Sequence, residues 1–120
     1  MASQERRKFQ RVKDEGLSLK LRLDDFDSIT HTMNISPSGV YCKLEKEIPV
    51  MSRVKLMLMI PDPAKEGALK NLEVGGIVVR QHPVTIDGVI KHYDAAIFFE
   101  DLSEEDKGII VDYIKRKSGE

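Results

Sequence analysis

The 120-residue chain has a single cysteine, three scattered histidines, few aromatics (6%) and no apolar run of membrane-spanning length. One cysteine, Cys42, cannot close an internal disulfide. The most apolar stretch, Val54 to Pro61, is interrupted by Lys55 and stopped by Pro61, well short of the ~20 residues a membrane helix needs. Nothing in the first thirty residues has the apolar centre of a signal peptide, so a cytoplasmic location without membrane insertion is the expectation. His31, His82 and His92 do not have metal-ligand spacing, and no acid, base and nucleophile come together as a set. An enzyme is therefore not expected, nor a metal or cofactor.

Overall charge is also lacking, but its distribution is uneven. The net charge is −1, which argues against a protein that coats nucleic acid through bulk electrostatics. Yet residues 1–13 hold Arg6, Arg7, Lys8, Arg11 and Lys13 against Glu5 alone, a net of +4, while residues 14–120 carry 14 basic and 19 acidic groups. The stretch Glu5 to Arg11 is thus a local anion site attached to an acidic body. A basic terminus can be simply a solvated tail. Phe9, an apolar ring within it, suggests that the arm docks.

Beyond the arm the chain alternates. Leu17, Leu19, Leu21 and Leu23 oppose Ser18, Lys20 and Arg22, the period of a half-buried strand. Ile29, His31 and Met33 oppose Thr30 and Thr32 in a second strand, Val40 to Leu44 forms a third, and Arg53 to Ile60 a fourth. Pro61 to Asn71 has no period and is expected to be a loop. Leu72 to Gln81 and Tyr93 to Phe99 add two strands, and Asp87-Gly88 between them suggests a turn or a small extra hairpin. Gly75-Gly76 reads as close strand packing or a bulge. Ser103, followed by Glu104, Glu105 and Asp106, has the form of a helix N-cap with acidic residues in the first turn. Ile109, Ile110, Tyr113 and Ile114 then share one helical face. Five to seven antiparallel strands with a helix last predict an all-β fold, either a small closed barrel or a tightly rolled sheet, in one domain.

Two short motifs carry chemistry. Arg7 and Arg11 are four positions apart, so two planar guanidinium forks can grip phosphate oxygens, or the O6/N7 edge of guanine, at different points of one small ligand. Asn34 to Gly39, Asn-Ile-Ser-Pro-Ser-Gly, is a tight connection in which Pro37 fixes φ and Gly39 permits a positive φ. Asn34 and Ser36 lie two apart and share a face of a strand, and both can donate to and accept from a base edge. Gly39 would let the backbone approach a flat ligand.

Arg7-x-x-x-Arg11 ahead of the first strand and Asn34-x-Ser36-x-x-Gly39 on the barrel together resemble the paired signature of the PilZ domain family. Gly75 to Gln81 and His92 to Ile114 resemble the family's later strands and closing helix, so the resemblance covers nearly the whole chain. It implies a six-stranded antiparallel β-barrel with a C-terminal α-helix over residues 14–117, a flexible basic arm over residues 1–13, and a bacterial receptor for the second messenger cyclic di-GMP. On this resemblance Arg7 and Arg11 clamp phosphate and guanine, and Asn34, Ser36 and Gly39 hold a guanine on the barrel surface. Asn34 stands where Asp is also common, which removes one charge-assisted hydrogen bond to guanine. A basic residue at the position of Arg6 goes with binding of a stacked ligand dimer in the family. Arg80 falls near a position from which members stack a side chain on the base.

The resemblance also implies an output without catalysis. A nucleotide carrying two phosphates neutralises the arm and folds it across the barrel, changing a surface for a separate effector protein, which the sequence does not name. Two alternatives stay open: a PilZ-like adaptor that works through protein contacts without nucleotide, and a small nucleic-acid-binding β-barrel. The intact Arg7, Arg11, Asn34, Ser36 and Gly39 count against the first, the acidic body and scarce aromatics against the second.

Overall fold

The leucine alternation does face a core: Leu17, Leu19 and Leu21 are at most 1% exposed, and so are Leu58 and Ile60. In a computed structural model describing residues 12–13, 17–24, 26–62 and 64–117, seven strands precede one helix. They are β1 (Val12–Lys13), β2 (Ser18–Leu23), β3 (Phe26–Ser36), β4 (Gly39–Leu44), β5 (Arg53–Pro61), β6 (Leu69–Ile86) and β7 (Val89–Phe99); helix α1 spans Glu104–Lys117. All neighbouring pairs are antiparallel, in the order β1-β3-β2-β5-β6-β7-β4, and a further β3–β4 pairing closes β2 to β7 into a six-stranded ring. The expected barrel with a closing helix is the observed fold.

Closure leaves a single filled interior, because directly opposed residues in antiparallel strands point to the same side. One inward row runs Ser28, Leu21, Leu56, Val74; another runs Ile35, Val40, Ile97, Val78. Ile110, Tyr113 and Ile114 of α1 join this core, as their shared helical face predicts. The helix begins where the sequence places it: the Asp106 backbone N–H donates to Ser103 Oγ at 3.1 Å, an N-cap bond that satisfies one of the first turn's orphan donors.

Several details differ from the sequence reading. In β3 the polar side is the inner one: Ser28 and Thr32 are buried, while Ile29 is 72% exposed. The register dictates this, since Ser28 and Thr30 lie opposite the core residues Leu21 and Leu19, whereas Ile29 lies opposite Lys20. Strand β6 begins at Leu69, so the expected loop is shorter. Both β6 and β7 run on to the Asp87-Gly88 turn, where φ is positive at both residues (53° and 80°), the form of a two-residue hairpin turn. Gly76 marks close packing, not a bulge: a Cβ there would lie 2.7 Å from Ile97 Cγ2.

One side chain fastens the long β4–β5 connection to the barrel. Gln81 Nε2 donates to the Ile48 carbonyl, and the Ile48 N–H donates to Gln81 Oε1 at 2.8 Å. This pair of hydrogen bonds seats Ile48, 1% exposed, over one end of the core. Gln81→Ala leaves both backbone groups of Ile48 without those partners and should lower unfolding free energy by about 2 kcal/mol. Urea denaturation checks this; an unchanged midpoint would mean that Ile48 is held by packing alone.

Candidate functional site

Two β-bulges decide which sequence-selected side chains reach the barrel surface. In β3, Thr32 pairs with Cys42 but Asn34 pairs with Tyr41, so Met33 is an extra residue. It resets the alternation: Ile35 turns into the core at 0% exposure, and Asn34 and Ser36 point away from it on either side, with Ser36 still buried in the turn that it braces. In β6, Val78 pairs with Ile97 and Arg80 with Ala96, leaving Val79 as the extra residue. Arg80 is thereby turned outward, whereas unbroken alternation from Leu72 would send it into the core.

Strand register then assembles a surface from separate parts of the sequence. Lys13, Asn34, Tyr41, Ala96 and Arg80 form one lateral row across β1, β3, β4, β7 and β6. Ser36, Gly39, Phe98 and Ile77 form the next row. At ~4.8 Å per strand, Asn34 and Arg80 are about 14 Å apart. The sequence-selected residues Asn34, Ser36, Gly39 and Arg80 are therefore on one outward face. Arg6, Arg7 and Arg11 lie outside the described residues. The backbone that follows them does not: Val12 pairs with Ile35 and Lys13 with Asn34, so the basic segment is covalently attached beside the Asn34 motif.

The motif residues also have local duties. Ser36 Oγ accepts from the Ser38 N–H at 3.2 Å and donates to the Gly39 carbonyl at 3.4 Å, which holds the β3–β4 turn. Gly39 does not use the positive φ that it permits; among the described residues the positive-φ glycines are Gly67 and Gly88. The absence of a side chain is needed for another reason. A Cβ at Gly39 would overlap the Ile97 carbonyl oxygen and lie 3.2 Å from Phe98 Cα.

Electrostatics differ along the face. Asp94, on the same side of β7 as Ala96, accepts from the His92 Nε2–H at 3.1 Å, and His82 Nε2 lies 3.9 Å from its other oxygen. The Tyr41 phenol is pushed above its ordinary pKa, first by partial burial and then by the Asp94 carboxylate, with the Arg80 guanidinium opposing. Cys42, on the inner side of β4, is pushed up to about 12 by burial, aided by Asp94, so it remains a thiol and serves as core. Among the described residues no group of three His, Cys, Asp or Glu side chains could hold a metal ion, and no helix is long and apolar enough to cross a membrane.

Tyr41 and Phe98 are the surface residues that sequence reasoning missed. The signal for Tyr41 was its place two residues after Gly39, on the face opposite Val40 and Cys42. For Phe98 it was the pair Phe98-Phe99, of which strand alternation must expose one; Phe98 is 53% exposed and Phe99 5%.

The family model for the PilZ domain matches residues 5–116, nearly the entire chain and both motifs. No curated protein matches. Among solved structures, the inhibitor of motility MotI/DgrA of Bacillus subtilis superposes with a TM-score of 0.78 at 16% identity, covering 94% of this chain and 51% of that one. The complex of MrkH from K. pneumonia with c-di-GMP gives 0.66 at 14% identity, over 89% of this chain and 50% of that one. The c-di-GMP-bound PilZ domain of YcgR from Escherichia coli gives 0.64 at 11% identity and covers 94% of both chains. The chain thus spans about half the length of MotI/DgrA and MrkH, and at these identities the likeness establishes the fold. The family-model match over both motifs and the closed six-stranded ring lead to one conclusion: the chain belongs to the PilZ domain family.

Proposed function

We propose that this chain is a receptor domain for cyclic di-GMP, in which Arg7 and Arg11 grip the ligand's phosphates and a guanine while Asn34, Ser36 and Gly39 seat a guanine on the outer face. The observation that carries this reading is the pairing of Val12 and Lys13 with Ile35 and Asn34, which anchors the arginine-bearing segment beside the second motif. From Val12, Arg11 is one residue away and Arg7 five, within about 18 Å of extended chain, so both reach the row from Asn34 to Arg80. Support comes also from the YcgR domain and MrkH, whose solved structures contain c-di-GMP.

The chemistry suits a ligand of two anionic phosphates and two flat bases. Five basic side chains over residues 1–13 supply the countercharge, and arginine adds a donor fork that lysine lacks. Asn34 pairs with a base edge as a neutral amide, Ser36 keeps the turn in shape, and Gly39 keeps the neighbouring backbone close. Arg80 stacks its guanidinium on a base from the far side. Arg6 adds positive charge for a second nucleotide, so a stacked dimer is the expected bound form. Closing the arm over this face changes the surface offered to a separate effector protein, and no catalytic step is involved.

The test is a calorimetric titration of the full chain with cyclic di-GMP. Binding at micromolar concentrations or tighter is expected, with two nucleotides per chain if Arg6 acts as proposed. Silence up to tens of micromolar, about −6 kcal/mol, would reject the receptor reading in favour of the protein-contact adaptor. The slope of log K per bound nucleotide against log salt should be shallow, at most about −2 for its two phosphates; a steeper slope would point to nucleic acid instead.

A further inference from the structure

We infer that Tyr41, Ala96 and Arg80 form a slot for a second purine base, separate from the seat at Asn34 and Ser36; this rests on the receptor reading above. The three residues are consecutive in one outward row, on β4, β7 and β6. Ala96 is small, and it lies between two side chains that can each present a flat face: a phenol ring and a planar guanidinium. Two strand spacings separate Tyr41 from Arg80, about 9.6 Å. A flat ring needs about 3.5 Å to the plane on either side. One base therefore fits above Ala96, between ring and guanidinium, and two do not.

Three further observations favour a base there over bare solvent. Phe98 follows Ala96 by two positions on the same side of β7 and is 53% exposed, the only aromatic side chain among the described residues that is mostly open to solvent. It lies opposite Gly39, so the floor of the slot continues as an apolar surface with no side chain rising from β4 beside it. The Tyr41 phenol feels the Asp94 carboxylate, which raises its pKa, and the Arg80 guanidinium, which lowers it, so both charged groups lie in its neighbourhood. Finally, the bulge at Val79 is what turns Arg80 outward, and bulges are characteristic of places where a strand re-aims a side chain. Base stacking on an aromatic face is tolerant of sequence and needs only a ring of this kind. A cyclic dinucleotide has two bases, and the Asn34 motif accounts for one.

The test is titration of the full chain with cyclic di-GMP, followed by heat and by tyrosine emission, which is readable because the chain has no tryptophan. Tyr41→Ala should weaken binding about 10-fold or more, and Tyr41→Phe should recover most of that loss because the ring is kept. Tyrosine emission of the unaltered chain should fall on binding, and Tyr41→Phe should abolish most of that fall. Ala96→Leu adds bulk without removing a contact, and should also weaken binding about 10-fold or more while thermal melting stays near that of the unaltered chain. If the unaltered chain binds and both Tyr41→Ala and Ala96→Leu bind equally well, the slot is wrong and the receptor reading stands. If the unaltered chain does not bind, both fall. If Tyr41→Ala does not fold, Ala96→Leu and the emission change decide alone.

Discussion

Gly39→Ala should destabilise the barrel by about 3 kcal/mol or more, lowering the melting temperature of a domain this size by roughly 10–20 °C. The added Cβ would overlap the Ile97 carbonyl oxygen and crowd Ile97 C and Phe98 Cα, each 3.2 Å away. All three are backbone atoms of β7, so no side-chain rotation relieves the clash. The Gly39–Phe98 pairing must open instead, at one of the seams that close the ring. Gly108→Ala is the matching control. That glycine lies inside α1 with open space around its Cβ position, and alanine there should stabilise by about 0.5–1 kcal/mol because it restricts the unfolded chain and favours helix. The same chemical change thus has opposite signs at two sites. Denaturation of both variants checks the pair. Should Gly39→Ala melt like the unaltered chain yet fail to bind nucleotide, close backbone packing is not the reason for glycine at this position.

Arg7→Ala and Arg11→Ala should each weaken cyclic di-GMP binding by roughly 10- to 150-fold, and the double variant should not bind detectably at 100 μM. A hydrogen bond to a charged group contributes about 1.5–3 kcal/mol, and each guanidinium offers a fork of them. The lysine variants separate two explanations. If the basic segment only attracts an anion, Arg7→Lys and Arg11→Lys keep the charge and should bind normally. If the arginines hold phosphate oxygens and a guanine edge at once, a point charge cannot reproduce the planar fork, and the lysine variants should lose most of the affinity that alanine loses. Titration of all five variants, with melting curves to show that they are folded, decides between them. Lysine variants that bind like the unaltered chain would reduce the arm to an electrostatic lure.

Much of the fold was legible because it rests on local period and capping. Val54, Leu56, Leu58 and Ile60 alternate in the sequence and are all buried in the barrel, at 0–3% exposure. Ser103 precedes three acidic residues and caps α1. Asp87-Gly88 turns a hairpin with the positive φ values that few other pairs adopt easily. The structural need for glycine at position 39 was not legible: a positive φ is a property of one residue, whereas the close approach seen here belongs to two strands and cannot be read from one of them.

The face on which the candidate site lies shows the same division most clearly. By itself the sequence determined that Asn34 and Ser36 share a side of a strand, that Arg7 and Arg11 carry the arm's donor forks, and that alternating apolar residues make antiparallel strands around one core, as a closed barrel or a rolled sheet. Only the tertiary structure decided which side is out. Regular alternation would send Asn34 and Ser36 inward with Ser28 and Thr32, and Arg80 inward with Val78. One extra residue in each strand, Met33 and Val79, reverses the phase and turns all three away from the core, Asn34 and Arg80 to the surface and Ser36 into its covered turn. A strand has a period of two, so a single inserted residue exchanges its faces. Whether a residue is inserted depends on the register of the partner strand, and β4 and β7 are fixed in register only when the ring closes.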